Sequence, residues 1–322
     1  MVRTSELLFV KSVKDGIPNR DPLADSDARR LFGEDDGRIS LSDVSIKRDV
    51  RDYVLAKYPA GGEDQRYHIY IQELRRDKYL LGRKELAEWI FERAGIGERE
   101  VDSMERRRAE LAAHAFDVRV FGAVYSVGSQ SFHLTGPTQF GWAHSLHPVE
   151  TRYVQGTVII PSTESQGSAE GTSREGKQQG TIWSTYYLPF AIFAMPGVIN
   201  GTIAQQTGMD EVDVEVLLEA LWRGTKLRQA RGRGFQQPLL LLHVEYEDPL
   251  FRLGYLEDGI RLETSGEIPS SLQEVKLDVR ALVDRLVANR AHIARIRWWC
   301  DPELALMGEL PGTPGGVEGP NA

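Results

Sequence analysis

Between Ser162 and Gly180 the chain reads STESQGSAEGTSREGKQQG, with no aliphatic residue larger than Ala169. Such a stretch buries too little apolar surface to offset the entropy of ordering it, so no fold can carry it in a core. It is bracketed by two strand-like runs, Tyr153–Ile160 and Thr181–Leu188. In the first, Val154, Val158 and Ile160 alternate with Thr157 and Ile159. The pair predicts a long β-hairpin with a mobile tip, standing off the core. A two-stranded hairpin is marginal in water by itself, so its apolar side chains need a partner elsewhere.

The rest of the chain supports a core. Of 322 residues, 41% are hydrophobic and 27% charged, as in one large soluble domain or two ordinary ones. No run approaches the roughly 20 apolar residues of a membrane helix. The opening MVRTSELLFVKSV lacks a small-residue cleavage site and reads as a first strand, not a signal peptide. Cys300 is the sole cysteine, which rules out an internal disulfide and fits a reducing cytoplasm. The net charge of −8 argues against a wholly basic surface but permits a local basic groove.

Periodicity then gives an order of elements. Glu6–Val13 predicts a strand, followed by the turn-rich Asp15–Pro22 and a polar loop to about Ser40. Ile46, Val50, Tyr53 and Val54 predict a helix over Leu41–Lys57, with Ser40 and Asp43 as a capping-box-like start. Asp117–Val127 and Phe190–Asn200 read as strands, the second an edge or bulged one because of Pro196. Val214, Leu217, Leu218, Leu221 and Trp222 mark a helix over Asp210–Arg228, and Pro238–Glu247 a further strand. The order β, α, β, β, α, β is that of the ferredoxin-like α+β fold shared with RNA-recognition modules. Two insertions interrupt it: a charged, helical one at 60–115 and the hairpin region at 129–188. The halves of the core fall at 1–59 and 189–300, with the strand 116–128 between the insertions. Val275, Val279, Leu282, Val283 and Leu286 predict one more helix and Ile293–Trp299 a last strand, before a flexible tail at 301–322.

Two basic clusters suggest phosphate binding. Lys47 and Arg51 share a helical stripe with Arg48 beside them, although Asp49 and Asp52 equally allow a plain solvated face. The run Trp222–Gln237 holds Arg223, Lys226, Arg228, Arg231 and Arg233 without an acid. A charged helix end with a glycine stop explains Lys226 and Arg228 but not Arg231 and Arg233 beyond it. Gly232 and Gly234 permit close backbone approach, and arginine forks suit phosphate oxygens. His144, His147 and Glu150 have a ligand-like spacing, but Pro148 and the neighbouring glycines oppose a helix there and no further ligand completes a site. Asp15, Asp21, Asp25, Asp27, Asp35, Asp36 and Asp43 read as turn and cap acids in preference to a magnesium site. Neither a metal nor a cofactor is expected. No P-loop or nucleophile elbow is present.

The segments FVKSVKDGIPNRDPLADSDAR, SLSDVSIKRDVRDYV, and DVRVFGAVYSV with LTGPTQFGWAHSLHPVE resemble the Cas-seven family, the backbone subunit of type I CRISPR Cascade, in its I-B and I-C branch. YYLPFAIFAMPGVIN and QARGRG fit the same pattern, and the resemblance spans about Leu7–Leu242. The first loop departs from it, reading Ile17-Pro18-Asn19-Arg20 where the family often shows N-P-N-G. The resemblance implies a ferredoxin-like palm, a helical fingers insertion and a long thumb hairpin. It implies copies stacked head to tail along a CRISPR guide RNA, each thumb displacing a base and leaving those between to pair with a target DNA strand. The other Cascade subunits, Cas-five and the large and small subunits, are implied partners, and cutting belongs to a separate helicase-nuclease. It further implies that Asn19, Lys47, Arg48 and Arg51 contact the guide, that Gln139 and the stretch from Gly136 to Ser145 lie in or beside its groove, and that Arg228, Arg231 and the Gly232 loop hold its backbone. Lys226 and Arg233 belong to the same basic run, and Ile159, Ile160 and Ile182 are candidates to wedge between bases. A rival reading is a metal-dependent, guide-directed RNase like type III backbone subunits, with Asp15, Asp21 and Asp43 as the acids to test. Another is a stand-alone single-stranded nucleic-acid binder.

Overall fold

The computed structural model describes residues 1–127, 130–158, 181–228, 232–266, 268–315 and 320. Strand β1 (Ser5–Gly16) organises it, because this strand is apolar on both faces. Leu7, Phe9 and Val13 enter one core while Leu8 and Val10 enter another, the period-2 pattern of a strand covered on both sides. After β2 (Ser40–Leu41), helix α1 (Asp43–Lys57) buries the expected Ile46, Val50, Tyr53 and Val54. Its N-cap is Ser42, whose own side chain makes no capping bond, and Ser40 lies in β2, so the anticipated Ser40/Asp43 cap does not form.

The first insertion is helical, as its composition suggests. A small hairpin of β3 (Arg75–Arg76) and β4 (Tyr79–Leu80) precedes α2 (Arg83–Arg93), α3 (Met104–His114) and α4 (Phe116–Phe121). Next comes a hairpin of β5 (Gly122–Val127) and β6 (Gln130–Thr135). Tyr70, Ile90, Phe91, Leu111, Val118 and Tyr125 give this region a core of its own. The strand expected over 117–127 is therefore a helix plus a strand outside the main sheet. All six residues of α4 are buried, Phe116 and Val120 toward the main core and Val118 toward the core of the insertion. With every side chain buried, periodicity does not separate helix from strand.

The second core strand is instead β7 (Thr138–Phe140) with β8 (Ala143–Ser145), both against β11 (Phe190–Ile199). Between them in sequence, β9 (Arg152–Val158) and β10 (Thr181–Tyr187) pair antiparallel from Arg152↔Tyr187 to Val158↔Thr181, the expected hairpin. After β11 come α5 (Gly201–Thr207) and α6 (Glu211–Glu219), the latter running through a wide π turn at Ala220–Gly224 into α7 (Thr225–Leu227). β12 (Arg233–Tyr246) follows. β1 pairs antiparallel with β11 on one side and β12 on the other. Pro196 is thus interior, not at an edge. Its carbonyl accepts from Gly141 N–H, so its missing N–H faces the break between β7 and β8, where no bond is needed.

The remaining chain forms β13 (Arg261–Thr264), β14 (Val275–Asp278), α8 (Arg280–Ala288), β15 (Ile293–Cys300), β16 (Ala305–Met307) and β17 (Thr313–Pro314). The helix anticipated from Val275 begins only at Arg280. The tail anticipated as flexible from 301 pairs instead: β16 runs parallel to β14, and β17 parallel to β15. The main sheet has the order β17-β15-β12-β1-β11-β8-β2. On one face lie α1, α5 and α6 with Trp222; on the other lie Leu277, Leu282, Leu286 and Leu304 of the C-terminal layer. The buried Glu6 carboxylate pins that layer by accepting from Leu253 N–H and Gly254 N–H at 2.9 and 3.0 Å. Both faces of the main sheet are consequently covered. Among the described residues no helix is long and apolar enough to cross a membrane.

Candidate nucleic-acid interface

Three segments meet where β1 ends: the loop that follows it, the first turns of α1, and the loop between α7 and β12. Gly16 and Gly234 lie so close that a Cβ on Gly16 would sit 2.0 Å from Gly234 N. Ile17 N–H donates to Gly232 O at 2.9 Å, and Arg233 Nη1 donates to Pro18 O at 2.6 Å. Gly232 and Gly234 take φ of +75° and +72°, a region that side chains disfavour. Asn19 lies in the same loop. Its Oδ1 accepts from both the N–H and the hydroxyl of Ser42 at 2.9 Å, so Asn19 fastens the residue that precedes α1 to the first loop.

The cations of the two basic clusters divide into two kinds. Some are spent on acids within the fold. Arg51, 12% exposed, donates to Asp117 at 2.7 Å, and Asp117 also accepts from Tyr70 N–H and Ile71 N–H. Arg228, 12% exposed, donates to Asp49 at 2.6 Å and to Ser45 O at 2.7 Å. Asp49 is therefore buried beneath α1 and does not neutralise its surface stripe. Its other oxygen faces buried Lys11 at 3.4 Å, and Lys11 also donates to Gln236 at 2.8 Å. Burial pulls the Lys11 pKa down against the pull of Asp49 upward. Lys47 bonds Asp43 at 2.8 Å, and its Nζ lies 3.4 Å from Gln139 Oε1, which brings two expected site residues together. Arg48, 53% exposed, pairs with Asp52 at 2.7 Å on the surface, a pairing of little energetic weight.

Other cations make no close ion pair among the described residues. Arg233 has only its bond to Pro18 O, and Lys226 is exposed on α7. Arg20, which sequence reasoning did not select, donates to Ser26 O, Tyr186 O and Gly232 O, each at 3.0 Å. Burial lowers the pKa of both Arg20 and Arg233 against the upward pull of Asp27 on the first and Asp49 on the second, and the neighbouring Arg228 adds to the lowering of Arg233. Carbonyl oxygens satisfy these guanidiniums without cancelling their charge, so the loop junction stays electropositive in a protein that is acidic overall. The only sequence signal for Arg20 was its place where the first loop departs from the pattern it resembles.

Further site residues divide similarly. Gln139 Nε2 donates to Gly136 O at 3.0 Å. Ser145 is buried, its hydroxyl donating to His147 O and accepting from Ile39 N–H, which makes it a support for β8. Ile182 is 70% exposed on β10. Arg231, Ile159 and Ile160 lie outside the described residues. His144 meets Ser40 Oγ at 2.9 Å and His147 meets Pro148 O at 2.7 Å, and burial lowers the pKa of both rings. Asp21 accepts from Leu23 N–H, and Asp43 is held by Lys47. Among the described residues no group of three or more histidines, cysteines or acids is arranged to hold a metal.

Known proteins give this geometry a context. The family model described as "CRISPR-associated protein Cas7" matches residues 3–280. A CRISPR-associated protein Cas7 of Haloferax volcanii is 28% identical over 310 residues, covering 89% of this chain and 84% of that protein. In fold, the chain is similar to one in a solved "CRISPR RNA-guided surveillance complex, pre-nicking", with a TM-score of 0.56 at 14% identity over 97% of this chain and 96% of that one. Since the family model takes in residues 3–280, most of the chain, the chain belongs to the Cas7 family.

Proposed function

We propose that this chain is a non-catalytic, guide-RNA-binding backbone subunit of a type I CRISPR Cascade complex. The observation that carries the reading is the junction of Arg20 and Arg233 around the Gly232–Gly234 turn, where carbonyl oxygens hold both guanidiniums and neither makes an ion pair among the described residues, with Lys226 exposed on α7. An RNA backbone needs fixed positive charge and close backbone approach, and this junction offers both. Arg48 and Lys226 reach phosphates, and Arg233 and Arg231 add to the RNA contact from the same basic run; Lys47, Gln139 and Asn19 set the wall made by the start of α1. Arg51 and Arg228 hold that wall from behind, and Ser145 holds β8. The strand order β12-β1-β11 with β7 and β8 beyond it supports a ferredoxin-like palm. The β9–β10 hairpin serves as a thumb, with Ile159, Ile160 and Ile182 as its wedge against the bases. Neighbouring copies, the target DNA strand, Cas-five and the large and small subunits are its partners in the cytoplasm.

The engagement of Asp21 in its own turn and of Asp43 with Lys47 favours binding over a guide-directed RNase. The test is co-expression with a CRISPR array and recovery of bound nucleic acid. RNA of uniform length supports the reading, whereas RNA of mixed length supports a stand-alone binder. Metal-dependent cleavage of complementary RNA, lost in Asp15→Ala, Asp21→Ala or Asp43→Ala, would overturn the non-catalytic assignment.

A further inference from the structure

Arg20 carries an inference that rests on the RNA-binding reading and deepens it. We propose that Arg20 is a positioning residue that locks the root of the β9–β10 hairpin to the glycine loop, so that two walls of the RNA groove move as one body. Its guanidinium joins three segments far apart in sequence. Nη1 donates to Ser26 O in the first loop, and Nη2 donates to Tyr186 O at the end of β10 and to Gly232 O before β12. Both N–H groups of Nη2 are thereby used, which leaves that nitrogen no donor for a phosphate. Gly232 is shaped around the side chain: a Cβ there would lie 2.6 Å from Arg20 Nη2.

The first loop grips the other hairpin strand as well. Thr151, next to β9, donates its hydroxyl to Asp27 Oδ2 at 3.0 Å. The loop is itself closed by Asp21 N–H to Asp27 O at 2.7 Å and Ser26 N–H to Asp21 O at 3.0 Å. Beneath it, Asp15 N–H and Gly16 N–H donate to Pro189 O and Leu188 O. The hairpin root is thus tied to the groove by backbone carbonyls, by the Arg20 hub and by the Thr151–Asp27 bond, with no ion pair to Arg20 among the described residues. Lysine cannot replace such a hub, because a single ammonium does not span three carbonyls from one planar fork.

The test compares wild type, Arg20→Ala and Arg20→Lys by amide hydrogen exchange of the free protein and by filter binding to a single-stranded RNA across salt concentrations. In Arg20→Ala, exchange should rise together at 185–188 and 232–236, while β1 stays protected. RNA affinity should fall about tenfold, through the added cost of ordering a loosened site, with the salt slope kept. Arg20→Lys should behave like Arg20→Ala. A slope lowered by about one unit and restored in Arg20→Lys would make Arg20 a direct phosphate contact and overturn the proposal. Unchanged exchange at the two segments, or loss of protection throughout β1, would overturn it too. If Arg20→Ala does not fold, Arg20→Gln, which keeps a planar two-donor amide, is measured in its place against the same outcomes. Failure of the wild type to bind RNA would sink the proposed function alone, since the exchange experiment decides the lock without RNA.

Discussion

Arg228→Ala separates a phosphate contact from a structural cation. Arg228, Asp49 and Lys11 form a buried triad, with side chains 12%, 0% and 3% exposed. Removing Arg228 takes away the 2.6 Å contact and leaves Asp49 with only the 3.4 Å contact to Lys11. Breaking a buried pair by deleting one partner costs about 3–5 kcal/mol. The surviving lysine places the cost at the lower end, about 3 kcal/mol on that scale. At about 2–4 °C per kcal/mol for a large domain, the melting temperature should fall by roughly 6–12 °C. RNA affinity measured well below the melting point should keep its salt slope, because the guanidinium faces Asp49 and Ser45 O, not solvent. Lys226→Ala should do the opposite, losing about one unit of slope while melting close to wild type. Scanning calorimetry and filter-binding titrations on the two variants decide the matter. An Arg228→Ala protein that melts like wild type and loses a unit of slope would refute the argument.

Arg119 and Asp213 form a buried two-bond fork between α4 and α6, with both contacts at 2.8 Å. Arg119→Lys should therefore destabilise by about 3 kcal/mol or more in urea unfolding, since an ammonium cannot reproduce the fork. Gly232→Ala puts a side chain at φ +75° against Arg20 Nη2, and should weaken RNA binding in a filter assay with little change in melting. His68 is buried against Gln65 and Trp89, and burial, with His114 and Arg93 nearby, holds its pKa down at about 4. The folded protein excludes a proton that the unfolded chain takes up near 6.5, so stability is full above that pH and falls as pH drops toward 4. The loss amounts to about 3 kcal/mol. His68→Gln should flatten that part of the urea-unfolding pH profile, and an unchanged profile would contradict the assignment. Replacing Gly156–Ser184 by a short Gly-Ser turn should leave a folded monomer that no longer assembles on guide RNA in size-exclusion chromatography; full-length assemblies would refute a trans-acting hairpin.

The sequence made the hairpin, the helical insertion and α1 legible because each has a simple signal: an apolar-poor run between β-prone flanks, or one apolar stripe. It concealed α4, β7 and β8, because short elements buried on several sides show no clean period. Pro196 misled for a related reason, since a gap between two neighbouring strands tolerates it as an edge does. The basic clusters were visible, but the division of labour within them was not. Arg51 and Arg228 match Arg48 and Lys226 in charge and spacing. Only the three-dimensional placement of Asp117 and Asp49, one of them 66 positions from its arginine, removes the first pair from the surface. Arg20 was missed because a lone arginine in a polar loop carries no pattern.

The position of β1 bears on how the chain is made. This strand leaves the ribosome well before either of its two partners, which begin only at Phe190 and Arg233. At roughly 5–20 residues per second, SELLFVKSV waits on the order of ten seconds or more with both edges bare. An apolar, β-prone segment in that condition invites pairing with other nascent chains. Glu6, Lys11 and Lys14 interrupt it with charge, and each is absorbed into the finished molecule in its own way: Glu6 under the C-terminal layer, Lys11 onto Asp49, and Lys14 at the solvent end. The charges that organise the folded protein are thus placed to guard the strand during synthesis as well. Because β12 is the later of the two partners, a chain truncated before Arg233 keeps one long edge of β1 open, and ribosome-bound truncations ending there should aggregate on release.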